Sequence, residues 1–193
     1  MAYGFDPKKV VIVVTGILKA FSYVLILILN VIGALYFPTA LAYFLPILFI
    51  LLPLILQKTI HLRPSPSDLL IGIGASLLVF IPLLIYKLLK IGSINLPPFG
   101  FVFVTYLLVA LPEEAFFRGM LMDSIGLNWK GVFISSLLFA LAHGHRYFLY
   151  GDYLAFFTFF PSLIMGYLYM KTRNILAPTV FHGSSNVALF AVM

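Results

Sequence analysis

The stretch Leu111-Pro112-Glu113-Glu114-Ala115-Phe116-Phe117-Arg118-Gly119 places two glutamates and an arginine inside a run that is otherwise hydrophobic enough to cross a bilayer. The chain has only six acidic residues, and two of them stand side by side here. A charged side chain at the centre of a bilayer costs at least about 2.5–3.5 kcal/mol on insertion scales. We therefore expect these side chains to face the protein interior or a water-filled pocket and to serve the function of the protein.

The composition is that of a membrane protein. Of the 193 residues, 63% are hydrophobic and 9% are charged, whereas soluble domains have roughly 45–50% apolar and about 25% charged residues. Because only helices and closed barrels satisfy the backbone in lipid, we predict an all-α, polytopic transmembrane helix bundle that forms one domain over residues 1–193. The net charge of +6 is scattered, which indicates loop charges that orient helices and no nucleic-acid surface. The absence of cysteine excludes disulfides, thiolate metal sites and a cysteine nucleophile.

Seven hydrophobic segments can be drawn, and each is close to the length of about 17–25 residues that a span requires. They run from about Val10 to Tyr36, Thr39 to Leu56, Leu69 to Leu89, Pro98 to Met122, Val132 to Tyr150, Asp152 to Tyr169 and Ile175 to Met193. No signal-peptide cleavage site follows residues 1–9, so we expect the first segment to stay as a membrane anchor. Its one charge, Lys19, can either snorkel to the interface or face the bundle.

The basic residues predict the orientation of the bundle in a cell (plasma) membrane. With seven spans, seven loop lysines and arginines fall on the side of the N-terminus and three on the opposite side. The first group is Lys8, Lys9, Lys58, Arg63, Lys130, Lys171 and Arg173, and the second is Lys87, Lys90 and Arg146. Because cytoplasmic loops carry the excess of Lys and Arg, the count predicts a cytoplasmic N-terminus.

Three ionisable side chains on three different segments fall at similar depths. Counted from the cytoplasmic ends of the segments, Glu113, His143 and His182 lie roughly 15, 18 and 11 Å below that face at 1.5 Å per residue. Placing an ionisable side chain at that depth costs free energy in each case. Together the three residues define a candidate site between the fourth, fifth and seventh segments.

Helical spacing assigns faces to the polar residues. Glu114 and Arg118 are four residues apart and share a face, so we expect them to pair. Glu113 is rotated about 100° from Glu114 around the helix axis. It therefore does not share the face of the Glu114–Arg118 pair and is available for a different role. His182 and Asn186 are also four residues apart on one face.

Two further residues shape the surroundings of these side chains. Pro112 lacks the N–H that would bond to residue 108, so it is expected to open the helix beside Glu113. Phe139 lies one turn before His143 and is expected to pack against its ring.

These residue types support hydrolysis without a covalent nucleophile. A carboxylate beside a neutral histidine can hold and activate a water molecule, and a second histidine with an asparagine amide offers donors for an oxyanion. Alternatively, Glu113, His143 and His182 form a set that could bind catalytic zinc with an open position, although the HExxH motif of zinc helices is missing.

Other hydrolytic mechanisms are less well supported. Ser184 and Ser185 follow His182 but are expected to point off its face, and no G-x-S-x-G motif is present. An aspartyl dyad would need two intramembrane aspartates, whereas Asp123 and Asp152 both fall near segment ends.

The motifs resemble those of a known family. Three of them, in this order and each inside a span, are similar to the signatures of the CAAX protease and bacteriocin-processing family, the type II CAAX prenyl endopeptidase-like (Abi) intramembrane proteases. They are Glu113-Glu114-x-x-x-Arg118, Phe139-x-x-x-His143 and His182-x-x-x-Asn186. The resemblance covers the last four segments, roughly residues 98–193, which would form the catalytic core.

The resemblance implies a glutamate-dependent intramembrane endopeptidase that acts on a membrane-associated peptide or protein, and it leaves open whether that substrate is prenylated. Glu113 and His143 would activate the water, and His182 and Asn186 would stabilise the oxyanion. Glu114 and Arg118 would support the site, which would work without a metal, although a zinc-dependent version remains an alternative.

Two other classes of function compete with the protease. A non-proteolytic member of the family would act as a bacteriocin-immunity or scaffold protein. A proton or ion transporter is the other alternative, because intramembrane Glu and His residues also build proton relays; the absence of an internal repeat counts against it.

Overall fold

The computed structural model describes residues 7–91 and 93–192, and these residues form seven helices without a β-strand. The helices are α1 (Pro7–Tyr36), α2 (Pro38–Gln57), α3 (Pro66–Ile91), α4 (Phe99–Ile125), α5 (Trp129–Tyr150), α6 (Tyr153–Thr172) and α7 (Leu176–Val192). The predicted all-α class is confirmed. Expectations for residues 1–6, Gly92 and Met193 lie outside the described residues.

Five helices of the described chain are long and apolar enough to cross a membrane, namely α1, α3, α4, α5 and α6. The apolar part of α2, Tyr43–Gln57, is shorter than these. The chain is therefore a polytopic membrane protein, and the number of seven spans stays a prediction.

Much of the apolar surface has no protein partner. Only 17% of the hydrophobic window in α1 and 11% of that in α3 is buried inside the protein. Exposed leucines, isoleucines and phenylalanines continue along both helices. Soluble monomers rarely expose contiguous apolar patches larger than a few hundred Å², so lipid is the medium that covers these helices.

The second half of α4 is the centre of the bundle. Every residue from Ala115 to Met122 is buried. The Phe117 ring lies 5.9 Å from Phe49 of α2 and 5.0 Å from Phe139 of α5, and its neighbour Phe116 lies 5.1 Å from Phe49. A helix that is buried on all sides is surrounded by other helices, so the charged side chains of α4 meet protein and not lipid.

Helices α3 and α7 pack closely because α3 carries a glycine at their contact. A Cβ atom at Gly72 would lie 2.7 Å from the carbonyl oxygen of Ala177 and 2.9 Å from Cβ of Val180. Ser76, one turn later, donates to the carbonyl of Gly72 at 2.8 Å and is buried at the same contact. Small residues let membrane helices approach to this distance.

A loop of residues 58–65 covers the end of the bundle on the side where α1 begins. The Asn174 side chain donates to the carbonyl of Arg63 and to Oδ2 of Asp68, both at 2.8 Å, and accepts from the Arg63 amide at 3.1 Å. His61 Nε2 lies 3.0 Å from Asp123 Oδ2. These contacts join the loop to α3, α4 and the α6–α7 turn.

Lys19 faces the bundle, which decides between the two positions that the sequence allowed. Its Nζ donates to Gln57 Oε1 at 2.7 Å and to Ser124 Oγ at 2.8 Å. The Gln57 amide in turn donates to the carbonyl of Gly119. Lys19 therefore binds polar groups at the ends of α2 and α4.

The α3–α7 contact generates a prediction about stability. We expect Gly72→Ala to destabilise the protein by about 1–3 kcal/mol, the range for overpacked sites, because the added Cβ meets the α7 backbone. Gly74→Ala on the same helix is the control, since a Cβ there has nothing within 4 Å, and it should gain up to about 1 kcal/mol of helix propensity. Thermal unfolding of both variants in detergent measures the difference, and equal melting temperatures would contradict the close packing.

Candidate active site

The helix that carries the glutamates changes its winding around Pro112. Residues Thr105–Ala110 and Ala115–Met122 are wound as π-helix, and the α-helical turn Leu111–Glu114 lies between them. Pro112 has no N–H to donate, so the bond to the preceding turn is missing at this point. Such π-wound turns are frequent at functional sites, and here they set the directions of Glu113 and Glu114.

Glu114 and Arg118 form the predicted ion pair, fully buried. Arg118 Nη1 donates to Glu114 Oε1 at 3.1 Å, and both side chains are 0% exposed. Arg118 Nη2 also donates to the carbonyl of Ser162 at 3.0 Å and to its Oγ at 2.6 Å. The guanidinium carbon lies 4.9 Å from the centre of the Phe139 ring. The pair thus connects α4 to α5 and α6.

His182 of α7 completes this buried cluster, which we define as Glu114, Arg118, Ser162 and His182. Its Nδ1 lies 2.9 Å from Glu114 Oε1. Because a carboxylate accepts, Nδ1 carries a hydrogen, and Nε2 lies on the opposite side of the ring. That Nε2 lies 3.8 Å from Glu113 Oε2. Glu114 therefore orients the ring of His182 towards the neighbouring glutamate.

His143 of α5 is oriented in a similar way by its own helix. Its Nδ1 donates to the carbonyl of Phe139 at 2.9 Å, because a carbonyl can only accept. The Phe139 ring packs against it with centroids 4.6 Å apart, as the sequence predicts. The neutral ring of His143 is thereby left with Nε2 as a hydrogen-bond acceptor.

The predicted site residues of three helices line one small cavity. We call it the site cavity, and its volume is about 90 Å³. Its wall contains Val109, Glu113, Phe139, His143, Thr158, Pro161, Met165, His182, Ser185 and Asn186. Oε2 of Glu113 is buried without a hydrogen-bond partner among the described residues. A polar cavity of this size has room for water, which needs two to four polar partners.

One of the two serines that follow His182 differs from the sequence-based expectation. Ser185 was expected to point off the face of His182, but it lies three residues later on a neighbouring turn and lines the cavity. Its hydroxyl donates to the carbonyl of Phe181 at 2.9 Å. Ser184 does point elsewhere, and its hydroxyl shares a 2.7 Å hydrogen bond with Tyr106 of α4.

Sequence reasoning missed Ser162 and Thr158. Ser162 contacts Arg118 from another helix, and Thr158 lines the cavity from the first turns of α6. A hydroxyl in an apolar span is a weak signal, because serine and threonine can also bond to their own helix backbone.

His145, which is not part of the motifs, lies outside the cavity and bonds through Nδ1 to the carbonyl of Ala142 at 3.0 Å.

The alternative metal set, Glu113, His143 and His182, can be tested on geometry. In the described part of the chain no group of three or more histidine, aspartate or glutamate side chains is arranged to hold a metal ion. Each histidine uses Nδ1 for a protein acceptor and retains Nε2.

Comparison with known protein families gives a match in the second half of the chain. Residues 95–188 match the family model described as Rce1-like, type II CAAX prenyl endopeptidase Rce1-like. This agrees with the resemblance that the motifs indicated over roughly residues 98–193. Searches of curated proteins and of solved structures gave no significant match.

The buried cluster generates a prediction about stability. Arg118→Met would leave the buried Glu114 without its arginine partner, and removing one partner of a buried pair typically costs about 3–5 kcal/mol. Arg146→Met is the matched control, because Arg146 pairs with Asp152 at 2.6 Å while 49% exposed, and such pairs contribute about 0–1 kcal/mol. Unfolding in a denaturing detergent measures both losses, and similar losses would contradict a structural role of the buried pair.

Proposed function

We propose that this multi-pass membrane protein is a glutamate-dependent intramembrane endopeptidase. The proposal starts from the similarity of residues 95–188 to the Rce1-like type II CAAX prenyl endopeptidase family. The proposed substrate is a membrane-associated peptide or protein. The observation that supports this most directly is that Glu113, His143, His182 and Asn186 line one cavity, although they come from three helices.

The first step is activation of water. A water molecule in the site cavity donates one hydrogen to the Glu113 carboxylate and the other to Nε2 of His143, because both are acceptors in this arrangement. Glu113 takes the proton as the water oxygen attacks the carbonyl carbon of the scissile peptide bond. Removal of such a proton by a positioned side chain contributes typically about 10²–10⁴-fold to the rate.

The second step is stabilisation of the tetrahedral intermediate and release of the amine. The amide of Asn186 donates a hydrogen bond to the oxyanion, and His182 donates from Nε2 when its ring is protonated on both nitrogens. The carbon–nitrogen bond then breaks, and the proton held by Glu113 moves to the leaving amine. One water is consumed, and a carboxylic acid and an amine are formed.

The buried cluster has a supporting role in this scheme. Glu114 holds the hydrogen on Nδ1 of His182, so Nε2 faces the cavity. Arg118 compensates the charge of Glu114, and Ser162 holds Arg118. Glu114 and Arg118 therefore act on the position of His182 and not on the substrate.

We propose the orientation with a cytoplasmic N-terminus in a cell membrane. The end of the bundle with the loop 58–65 carries the larger group of basic residues, and the end with Arg146 carries the smaller one. The excess of positive charge in cytoplasmic loops supports this assignment.

The mechanism generates a prediction about activity. We expect Glu113→Gln and His143→Gln to lower peptide cleavage by at least about 10²-fold, with unchanged melting temperatures. Asn186→Ala should cost about 10²–10³-fold, as for other oxyanion donors. The measurement is incubation of the detergent-solubilised protein with a peptide library and detection of products by mass spectrometry.

His145→Gln is the matched control for His143→Gln. His145 lies two residues later on the same helix, bonds to its own helix backbone and does not line the site cavity. It should retain full activity. Full activity of Glu113→Gln would contradict the glutamate mechanism and would favour a non-proteolytic role.

Metal dependence has a separate test. We propose that the water is activated without a metal, so prolonged dialysis against a chelator should leave the cleavage rate unchanged. Elemental analysis of the active protein should show no stoichiometric zinc. Loss of activity on dialysis and its recovery with zinc would contradict the metal-free mechanism and would support binding by Glu113, His143 and His182.

A further inference from the structure

Tyr106 joins the first half of α4 to the two residues of α7 that follow His182. Its hydroxyl shares a 2.7 Å hydrogen bond with Oγ of Ser184. Its ring lies against Gly183, where a Cβ atom would be 2.4 Å from Cδ1 and 2.5 Å from Cε1 of the ring. Only glycine leaves room for the ring at this distance. We call these two interactions together the Tyr106 contact.

Two further contacts of this part of the chain are with α7 as well. The Phe101 ring of α4 lies 4.7 Å from the ring of Phe190. In the connection before α4, the amide of Asn95 donates to the carbonyl of Ala191 at 3.2 Å. Leu107, on another face of α4, is 45% exposed. Helix α7 therefore supports the first half of α4 along its length.

Beyond Pro112, α4 is joined to α7 a second time. Oε1 of Glu114 lies 2.9 Å from Nδ1 of His182. Pro112 has no N–H, so α4 lacks one of the backbone bonds that would hold its two halves together. Glu113 thus lies between two contacts with α7, one on each side of this weak point in the helix.

The π-wound turn connects the backbone of Tyr106 to the residues around Pro112. The N–H of Leu111 donates to the carbonyl of Tyr106, across five residues. Leu111 is two residues before Glu113 in the chain. A displacement of Tyr106 from α7 would therefore be passed on to the segment that carries the glutamate.

No direct hydrogen bond sets the distance between Glu113 and His182. Oε2 of Glu113 lies 3.8 Å from Nε2 of His182, which is longer than a hydrogen bond. The same oxygen has no hydrogen-bond partner among the described residues. The spacing of the two groups is therefore set by the contacts around them, and a misplacement of about 1 Å in a catalytic geometry can cost about 10²-fold in rate.

We propose that Tyr106 is a positioning residue of the candidate active site. Its contact with Gly183 and Ser184 holds the first half of α4 on α7 and so keeps Glu113 at its distance from His182. The effect on the reaction rests on the proposed peptidase function. The effect on the spacing of α4 and α7 rests on the contacts alone.

The hydrogen bond can be removed from either side. Tyr106→Phe keeps the ring against Gly183, and Ser184→Ala removes only the hydroxyl on α7. We expect each variant to lower kcat for peptide cleavage by roughly tenfold to 10²-fold, with KM unchanged, because neither residue lines the site cavity. The double variant should lose no more than the single variants, since all three lack the same bond.

Tyr23→Phe is the matched control. The Tyr23 hydroxyl donates to the carbonyl of Leu138 at 2.8 Å and joins α1 to α5, so this variant loses a similar bond between two other helices. It should lower the melting temperature about as much as Tyr106→Phe and retain its kcat. An equal kcat for both variants would overturn the positioning role, as would losses in the double variant that multiply.

The spacing of the helices is measured without turnover. Because the chain has no cysteine, Leu107→Cys on α4 and Leu189→Cys on α7 give two defined sites for spin labels, at 45% and 47% exposure. Double electron–electron resonance then reports the distribution of distances between them. We expect a wider distribution with Tyr106→Phe and with Ser184→Ala, and an unchanged one with Tyr23→Phe. Identical distributions in all of them would overturn the inference.

The two measurements separate this inference from the peptidase function. A wider distribution with Tyr106→Phe, without cleavage by the unsubstituted chain, would support the effect of Tyr106 on spacing and contradict the peptidase function. Cleavage by the unsubstituted chain with an unchanged kcat in Tyr106→Phe would support the peptidase function and overturn the positioning role.

Discussion

The buried ion pair between Glu114 and Arg118 is the interaction on which the rest of the bundle depends. Neither charge can be placed in lipid at low cost, and a pair alone does not satisfy all of their hydrogen-bonding groups. Ser162 and His182 supply two of the missing partners. The free energy of burying these charges is therefore recovered only when α6 and α7 close around α4, and the same closure brings His182 to Glu113.

Two neighbouring residues of the same type have different environments for this reason. Glu114 points into the closed part of the bundle and is fully buried, whereas the side chain of Glu113 retains 16% exposure. Glu113 borders both the site cavity and an apolar groove between residues 38–49 of α2 and residues 104–113 of α4, which we call the α2–α4 groove. The rotation between successive helical residues separates them, and the π-wound turns on both sides of Pro112 adjust their directions. One carboxylate thus lies in the closed part of the bundle, and the other faces the cavity where the proposed reaction would take place.

The convergence of Glu113, His143 and His182 on one cavity could be predicted from the sequence, because a bilayer restricts where each residue of a span can lie. A span fixes the depth of every residue along one axis, so Glu113, His143 and His182 could be placed at similar heights before any tertiary structure was known. Ser162, Thr158 and the exact role of Ser185 could not be predicted, because their contacts depend on how each helix is rotated and on which helices are neighbours. The α2–α4 groove has the same origin, since it is formed by two helices whose sequences are simply apolar.

The sequence by itself determined that the protein is a helical membrane protein, that Glu114 pairs with Arg118, and that the three motifs lie on helices. These features follow from local rules: hydrophobic length, the 3.6-residue period of a helix and the cost of charge in lipid. Only the tertiary structure decided that Glu114 also binds His182 and that Lys19 faces the bundle. Those features depend on contacts between residues far apart in the chain, which no local pattern specifies.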